Sequence, residues 1–168
     1  MSPRSTTATA LSDATDAPVR QPLDDVSKKI IEQLQEDGRR PYAAIAASVG
    51  LSEAAVRQRV ARLVRSGVMQ IVAVTNPLHL GFTRQAMIGI RVDGHLDPVV
   101  DAISGLDEVA YVVVTAGSFD VLAEVICEDD EHLLHIMNER IRTIEGVRST
   151  ETFVYLELAK QTYSWGTR

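Results

Sequence analysis

The sequence predicts an α+β protein of two domains, an N-terminal helix-turn-helix (winged-helix-like) domain followed by a C-terminal ferredoxin-like βαββαβ domain. Three observations carry this. Apolar residues recur at helical spacing between residues 24 and 66, a short glycine turn Gly50-Leu51-Ser52 interrupts them, and from residue 85 two-residue alternation trades places with helical stretches. At 168 residues the chain can bury two modest cores, so help from oligomerisation is expected.

Residues 1–22 are rich in Ser, Thr, Ala, Asp and Pro with almost no bulky apolar side chain, which predicts a disordered arm. In the next domain, 23–68, Val26, Ile30, Ile31 and Leu34 form one stripe of a first helix, capped by Asp24 or Asp25 and ended at Asp37-Gly38. A second helix starts near Pro41, turns Ile45 and Val49 inward and stops at Gly50. Ser52 suits the N-cap of a third helix running to about Ser66, whose core side is Val56, Val60, Leu63 and Val64.

Residues 69–84 read as a linking strand and linker, because 69–74 is short, apolar and β-branched and Asn76-Pro77 closes it. The second domain, 85–161, then gives a strand at 85–92, a helix at 96–106, strands at 109–116 and 119–127, a helix at 130–144 and a strand at 147–160. The first strand alternates Ala86, Ile88, Ile90 and Val92, and the last alternates Thr152, Val154, Leu156 and Leu158. Gly117-Ser118 is expected as a tight hairpin, with glycine chosen for backbone freedom. Such a sheet carries helices on one face, so its other face needs a partner. Residues 162–168 remain as a tail.

The formal charge of −6 hides an asymmetry. Residues 1–22 are neutral, residues 23–76 carry eight basic and six acidic groups, and residues 77–168 carry seven and fifteen. A nucleic-acid footprint is judged by clustering within an element, and the third helix has it. Opposite its core side lie Ala54, Ala55, Gln58, Arg62 and Arg65, with Arg57 and Arg59 flanking. Small residues permit close approach to a major groove, glutamine can pair with adenine, and arginine can meet guanine or phosphate. A charged helix face is most often merely solvated. Here four arginines face one acid, Glu53, directly after a glycine turn, which favours contact with double-stranded DNA.

No apolar run is long enough to span a bilayer and no signal peptide is evident, so a cytoplasmic protein is expected. Cys127 is the only cysteine, which excludes an internal disulfide and a thiolate zinc site. His79, His95, His132 and His135 form no metal set, and His132 and His135 are expected as a solvated pair. The acidic run 128–131 begins a helix, where it complements the dipole. No catalytic constellation, metal site or cofactor loop is found.

The sequence resembles the Lrp/AsnC family of leucine-responsive, feast/famine regulators over residues 23–161. Leu23-Asp24 with the stretch from Ile31 to the Asp37-Gly38-Arg39 end resembles the family's opening helix. Val49-Gly50-Leu51-Ser52 with Arg59-Val60-Ala61-Arg62-Leu63 and Gly67-Val68 resembles its recognition helix and exit. Gly117-Ser118-Phe119-Asp120 resembles the hairpin of its sensing domain, and Gly146-Val147 with Thr150 and Thr152 resembles its ending. Glu53 stands where the family commonly has proline, and Val64 where it commonly has an acid.

The resemblance implies a transcription regulator modulated by a small molecule, commonly an amino acid, that dimerises through its sheets and can assemble into octamers. It adds Arg39 and Ser52 to the DNA-binding candidates. It also makes Gly117, Ser118, Phe119 and Asp120 effector-binding candidates, with Phe153 and Tyr155 beside them. There Asp120 and free backbone amides could meet an amino acid's ammonium and carboxylate. The alternative is an enzyme resembling the sirohaem decarboxylases, which share both domains. That alternative predicts a degraded recognition helix, whereas this chain keeps its arginines.

Overall fold

The computed structural model describes residues 22–167, so all but the last residue of the expected disordered arm lies outside the described residues. Two compact units divide the chain, one of residues up to Ala73 together with those from Gln161 onward, the other Val74–Lys160.

In the first unit, α1 (Asp25–Glu36), α2 (Tyr42–Val49) and α3 (Glu53–Arg65) enclose Ile30, Leu34, Ile45, Ala46, Val56 and Val60. Each boundary has a local cause. Asp24 caps α1 by accepting from Ser27 N at 2.7 Å, and Ser52 caps α3 by accepting from Ala55 N at 3.2 Å. Gly50, with φ of 70°, takes the left-handed conformation that ends α2, and its N–H and that of Leu51 both return to the Ala46 carbonyl.

Two expectations fail in this unit. Val64 is 42% exposed rather than in the core, because at 100° per residue it falls a further 40° beyond Val60 from the centre of the stripe. The linking strand at 69–74 does not form, so no winging strand follows α3. A β-ladder needs a second strand, and among the described residues none pairs with it. Ile71, Val72 and Val74 therefore stand exposed, ahead of a 3-10 turn at Pro77–Leu80 that Asn76 caps.

The second unit contains β1 (Arg84–Val92), α4 (Leu96–Ser104), β2 (Val109–Val114), β3 (Val121–Cys127), α5 (Asp130–His135, continued by a π-helical segment Ile136–Ile141) and β4 (Val147–Val154). The sheet is antiparallel in the order β2-β3-β1-β4, the arrangement expected of βαββαβ connectivity. Ala86, Ile88 and Ile90 of β1 and Val121, Ala123, Val125 and Cys127 of β3 pack with Val99 and Ile103 of α4 and with Leu133, Ile136 and Ile141. Both helices thus cover one face. The alternate residues Met87, Gly89, Arg91, Leu122, Glu124, Tyr111 and Phe153 share the other, which has no second layer among the described residues.

Strand ends are where the sequence reading slips. The last strand stops at Val154 instead of 160; Tyr155 N still donates to the Gln85 carbonyl at 2.9 Å, but β1 begins at Arg84, so residues past 156 have no strand to pair with, and Leu156 is 98% exposed. The expected two-residue hairpin is a wider loop spanning 115–120, closed by Thr115 N donating to the Asp120 carbonyl at 2.9 Å, so β2 ends at Val114 and β3 starts at Val121. Gly117 is absent from the glycines with positive φ, so it is not there for left-handed backbone freedom.

Candidate DNA interface and ligand face

Ala54, Gln58, Arg62 and Arg65 are exposed on one side of α3, with Ala55 half-buried beside them. Among the described residues Arg62 and Arg65 enter no ion pair, so their guanidinium groups are uncommitted. The other two arginines are engaged. Arg57 pairs with Glu53 at 2.7 Å and lies 5.3 Å from the Tyr42 ring centroid, which holds it along the helix flank. Arg59 was expected as a free flanking arginine; instead its Nη1 donates to Asp24 Oδ2 at 2.6 Å and to Ser27 Oγ at 3.1 Å. Arg39 is exposed after α1, and its backbone N–H donates to Asp37 Oδ1 at 2.9 Å.

The Asp24–Ser27–Arg59 cluster escaped sequence reasoning because its members are 32 and 35 residues apart. It binds the start of α1 to the middle of α3. Arg59, and after it Ser27, holds the Asp24 carboxyl far below its ordinary value of 3.8. A carboxyl depressed in the folded state stabilises above the unfolded value and loses that contribution as pH falls through the folded one. Asp24→Asn is therefore expected to flatten the loss of stability below about pH 4, measured by urea melts of both proteins across pH. An unchanged acid slope would show the pair to be inert.

On the open face of the sheet the ligand candidates separate into three places. Phe119 and Phe153 meet edge to face with centroids 6.0 Å apart, and the Arg91 guanidinium sits 4.4 Å from the Phe119 centroid. Asp120 sits at the edge of this cluster; its N–H donates to the Ile90 carbonyl at 2.9 Å and its Oδ2 accepts from Val92 N at 2.8 Å, at the register shift between Arg91 and Val92. Gly117 and Ser118 are exposed at the loop tip. Tyr155 stands apart, beside Glu124 and Gln85, where burial and then the Glu124 carboxylate push its hydroxyl up to about 12.

Gly89 is a residue the sequence did not single out. A Cβ there would lie 2.8 Å from the Phe119 ring, so the aromatic lies directly on bare backbone. Gly89→Ala is expected to displace Phe119 and cost about 1–2 kcal/mol of stability. Thermal melts check the cost, and a Phe119 ring resonance shift by NMR checks the displacement; unchanged spectra would mean that the ring is not seated there.

At the same end of the sheet, a hollow of about 350 Å³ is lined by Arg142, Val147, Arg148, Ser149 and Thr150. Val147 pairs with Val92, whose N–H Asp120 binds, and Arg142 Nε donates to Thr150 Oγ1 at 3.0 Å. None of its lining residues was a ligand candidate from sequence, since the two arginines lie outside the hairpin. The acidic run behaves as expected, with Asp129 capping α5 by accepting from His132 N at 2.8 Å. His132 departs from the solvated pair expected, lying half-buried with Nε2 3.8 Å from Glu108 Oε1. Among the described residues no helix is long and apolar enough to cross a membrane, and no group of three potential metal ligands occurs.

Comparison with known proteins agrees with this layout. Residues 23–64 match the AsnC-type helix-turn-helix domain, and residues 82–168 match a C-terminal dimeric alpha+beta barrel domain of the AsnC regulators. The HTH-type transcriptional regulator FL11 of Pyrococcus furiosus is 36% identical over 142 residues, 83% of this chain and 93% of that protein. Among solved structures, Escherichia coli AsnC superposes with a TM-score of 0.73 at 26% identity, covering 85% of this chain and 98% of its own. The Mycobacterium tuberculosis leucine response regulatory protein LrpA gives 0.75 at 29%, covering 83% and 96%.

Proposed function

Because the chain belongs to the AsnC family of helix-turn-helix transcriptional regulators, we propose that it reads a specific operator through α3 and that an amino acid bound to its C-terminal domain alters its assembly or DNA affinity. Residues 23–68 are assigned to DNA binding, 69–84 to the connection, and 85–161 to effector binding and dimerisation. The relatives are named as transcriptional regulators, which supports a role without catalysis and favours it over the tetrapyrrole-enzyme alternative.

The observation that carries the operator reading is the pair of uncommitted arginines, Arg62 and Arg65, on the exposed face that also holds Ala54 and Gln58. Ala54, Ala55 and Gln58 approach base edges, Arg62 and Arg65 read bases or the adjacent phosphates, and Ser52, Arg57 and Arg39 serve the backbone. Arg59 contributes by holding α3 against α1. The dimeric C-terminal domain makes the regulator a homo-oligomer, which brings two recognition helices to two half-sites. Dimers assemble further, up to an octamer, and the protein works in the cytoplasm, where it meets DNA.

The effector reading rests on charge at one end of the sheet. Asp120 offers a carboxylate to an ammonium group, and Arg142 and Arg148 with Ser149 and Thr150 offer donors to a carboxylate. Phe119 and Phe153 supply apolar contact. That one neighbour is named a leucine response regulatory protein supports an amino acid as the class.

Two measurements test the proposal. Selection of bound duplexes from a random pool is expected to return a two-fold symmetric site; recovery of unrelated sequences alone would sink the operator reading. A thermal-shift screen against the amino acids is expected to give one class that raises the melting temperature and changes operator affinity. Sedimentation of the full chain at micromolar concentration should show a dimer or larger, and a monomer would contradict it.

A further inference from the structure

At the opposite end of the sheet from Asp120, a cavity of about 310 Å³ opens where the chain enters the second unit. Its walls are mostly apolar, formed by Pro77, Leu80, Phe82, Ala110 and Ile126, with Thr75, Asp107, Glu108 and His132 as the polar part of the lining. The size is that of a small-molecule site, and an apolar wall with few polar groups is the usual makeup of one.

Glu108 is the unexplained residue. Its side chain is only 20% exposed, and its Oε2 is shut off from solvent with no hydrogen-bond partner among the described residues. The other oxygen, Oε1, has two side-chain nitrogens near it but beyond hydrogen-bond length, His132 Nε2 at 3.8 Å and Arg140 Nη1 at 3.7 Å. A carboxylate desolvated without a donor is costly, and such groups normally have a partner. His132 Nδ1 accepts from Glu128 N at 3.4 Å, which places the ring hydrogen on Nε2, yet that nitrogen stays beyond hydrogen-bond length of Glu108 Oε1 and leaves Oε2 unserved. Burial, and after it the Glu108 and Asp129 carboxylates, push the nearby Cys127 thiol up to about 11. The terminal torsion of a glutamate is soft, so either oxygen can turn toward a donor placed in the cavity.

The geometry points to a second ligand site here, for a small molecule carrying one ammonium group on a short branched apolar chain. The ammonium completes Glu108, and the apolar chain lies against Leu80, Phe82, Ala110 and Ile126. This site is distinct from the effector site at Asp120, since the two lie at opposite ends of β1 and β3. The 3-10 turn at Pro77–Leu80 forms one wall and is also the first structured element after the connection from α3.

Isoamylamine is the test probe and isoamyl alcohol its uncharged control, each titrated into the full chain by calorimetry and saturation-transfer NMR. The amine is expected to bind saturably with a Kd of about 1 mM, and the alcohol about tenfold more weakly. Glu108→Gln keeps the shape and removes the charge, so it should bring the amine down to the level of the alcohol. Leu80→Trp alters an exposed wall residue rather than the core and should abolish both, which keeps the test decisive if the glutamate variant does not fold. Equal binding of amine and alcohol to the parent, no saturable binding because a second copy covers the cavity, or amine binding that survives Leu80→Trp would overturn the assignment. Operator binding and its response to amino acids are separate measurements, so failure here leaves the effector reading standing and the reverse.

Discussion

Arg62→Ala is expected to weaken operator binding by about 1–3 kcal/mol, roughly tenfold or more, and to relax preference at one position in each half-site. The reason is that Arg62 is exposed on the face of α3 opposite Val56, Val60 and Leu63, and among the described residues no ion pair satisfies it. A bidentate guanidinium contact to guanine is then lost without compensation. Arg57→Ala makes the contrast. Its guanidinium is shared with Glu53 and Tyr42, so its removal should weaken all duplexes similarly and reduce the salt dependence of binding. Arg59→Ala should differ from both by lowering the stability of the N-terminal unit, because it strips the donor from Asp24 and from the buried Ser27. Binding selection and salt titration on the three variants separate base reading, phosphate contact and scaffold. Parent-like affinity and specificity in both Arg62→Ala and Arg57→Ala would remove α3 from the interface.

The three helices were legible because their information is local. Asp24, Gly50 and Ser52 set boundaries through bonds that reach no more than five residues, and the apolar spacing fixes which side turns inward. Strand order followed from element order, but strand ends did not. Where β4 stops depends on where β1 starts, and whether 69–74 forms a strand depends on a partner not found among the described residues. The site shows the same division. Exposed Gln58, Arg62 and Arg65 could be placed by helix geometry alone. That Arg59 is bound to Asp24, that Phe119 needs Gly89 beneath it, and that Glu108 faces His132 are long-range facts without a periodic signal. Gly89 had one trace, a glycine inside an alternating strand, which marks close approach of another group.

Asp120 is where the sequence reading and the structure pull furthest apart, and two substitutions decide between them. The sequence reading gives the carboxylate to a ligand ammonium, whereas in the structure its Oδ2 accepts from Val92 N at 2.8 Å while its own N–H holds Ile90. Losing that acceptor leaves a half-buried backbone N–H unpaired at a register shift, so Asp120→Ala should destabilise the C-terminal unit by about 1–3 kcal/mol. Asp120→Asn retains a carbonyl oxygen for Val92 and should keep most of that stability, but it has no charge for an ammonium. Since a ligand shifts an equilibrium only through differential affinity, the asparagine variant should fold, oligomerise and bind operator like the parent while its amino-acid response falls sharply. The measurement is operator affinity with and without the best amino acid from the thermal screen, on parent and Asn variant, after urea melts have established that both are folded. A stable Asn variant with a full response would confine Asp120 to holding the bulge and move the ammonium site elsewhere. An Asn variant as unstable as the alanine one would mean that the charge, and not only the acceptor, is what Val92 needs.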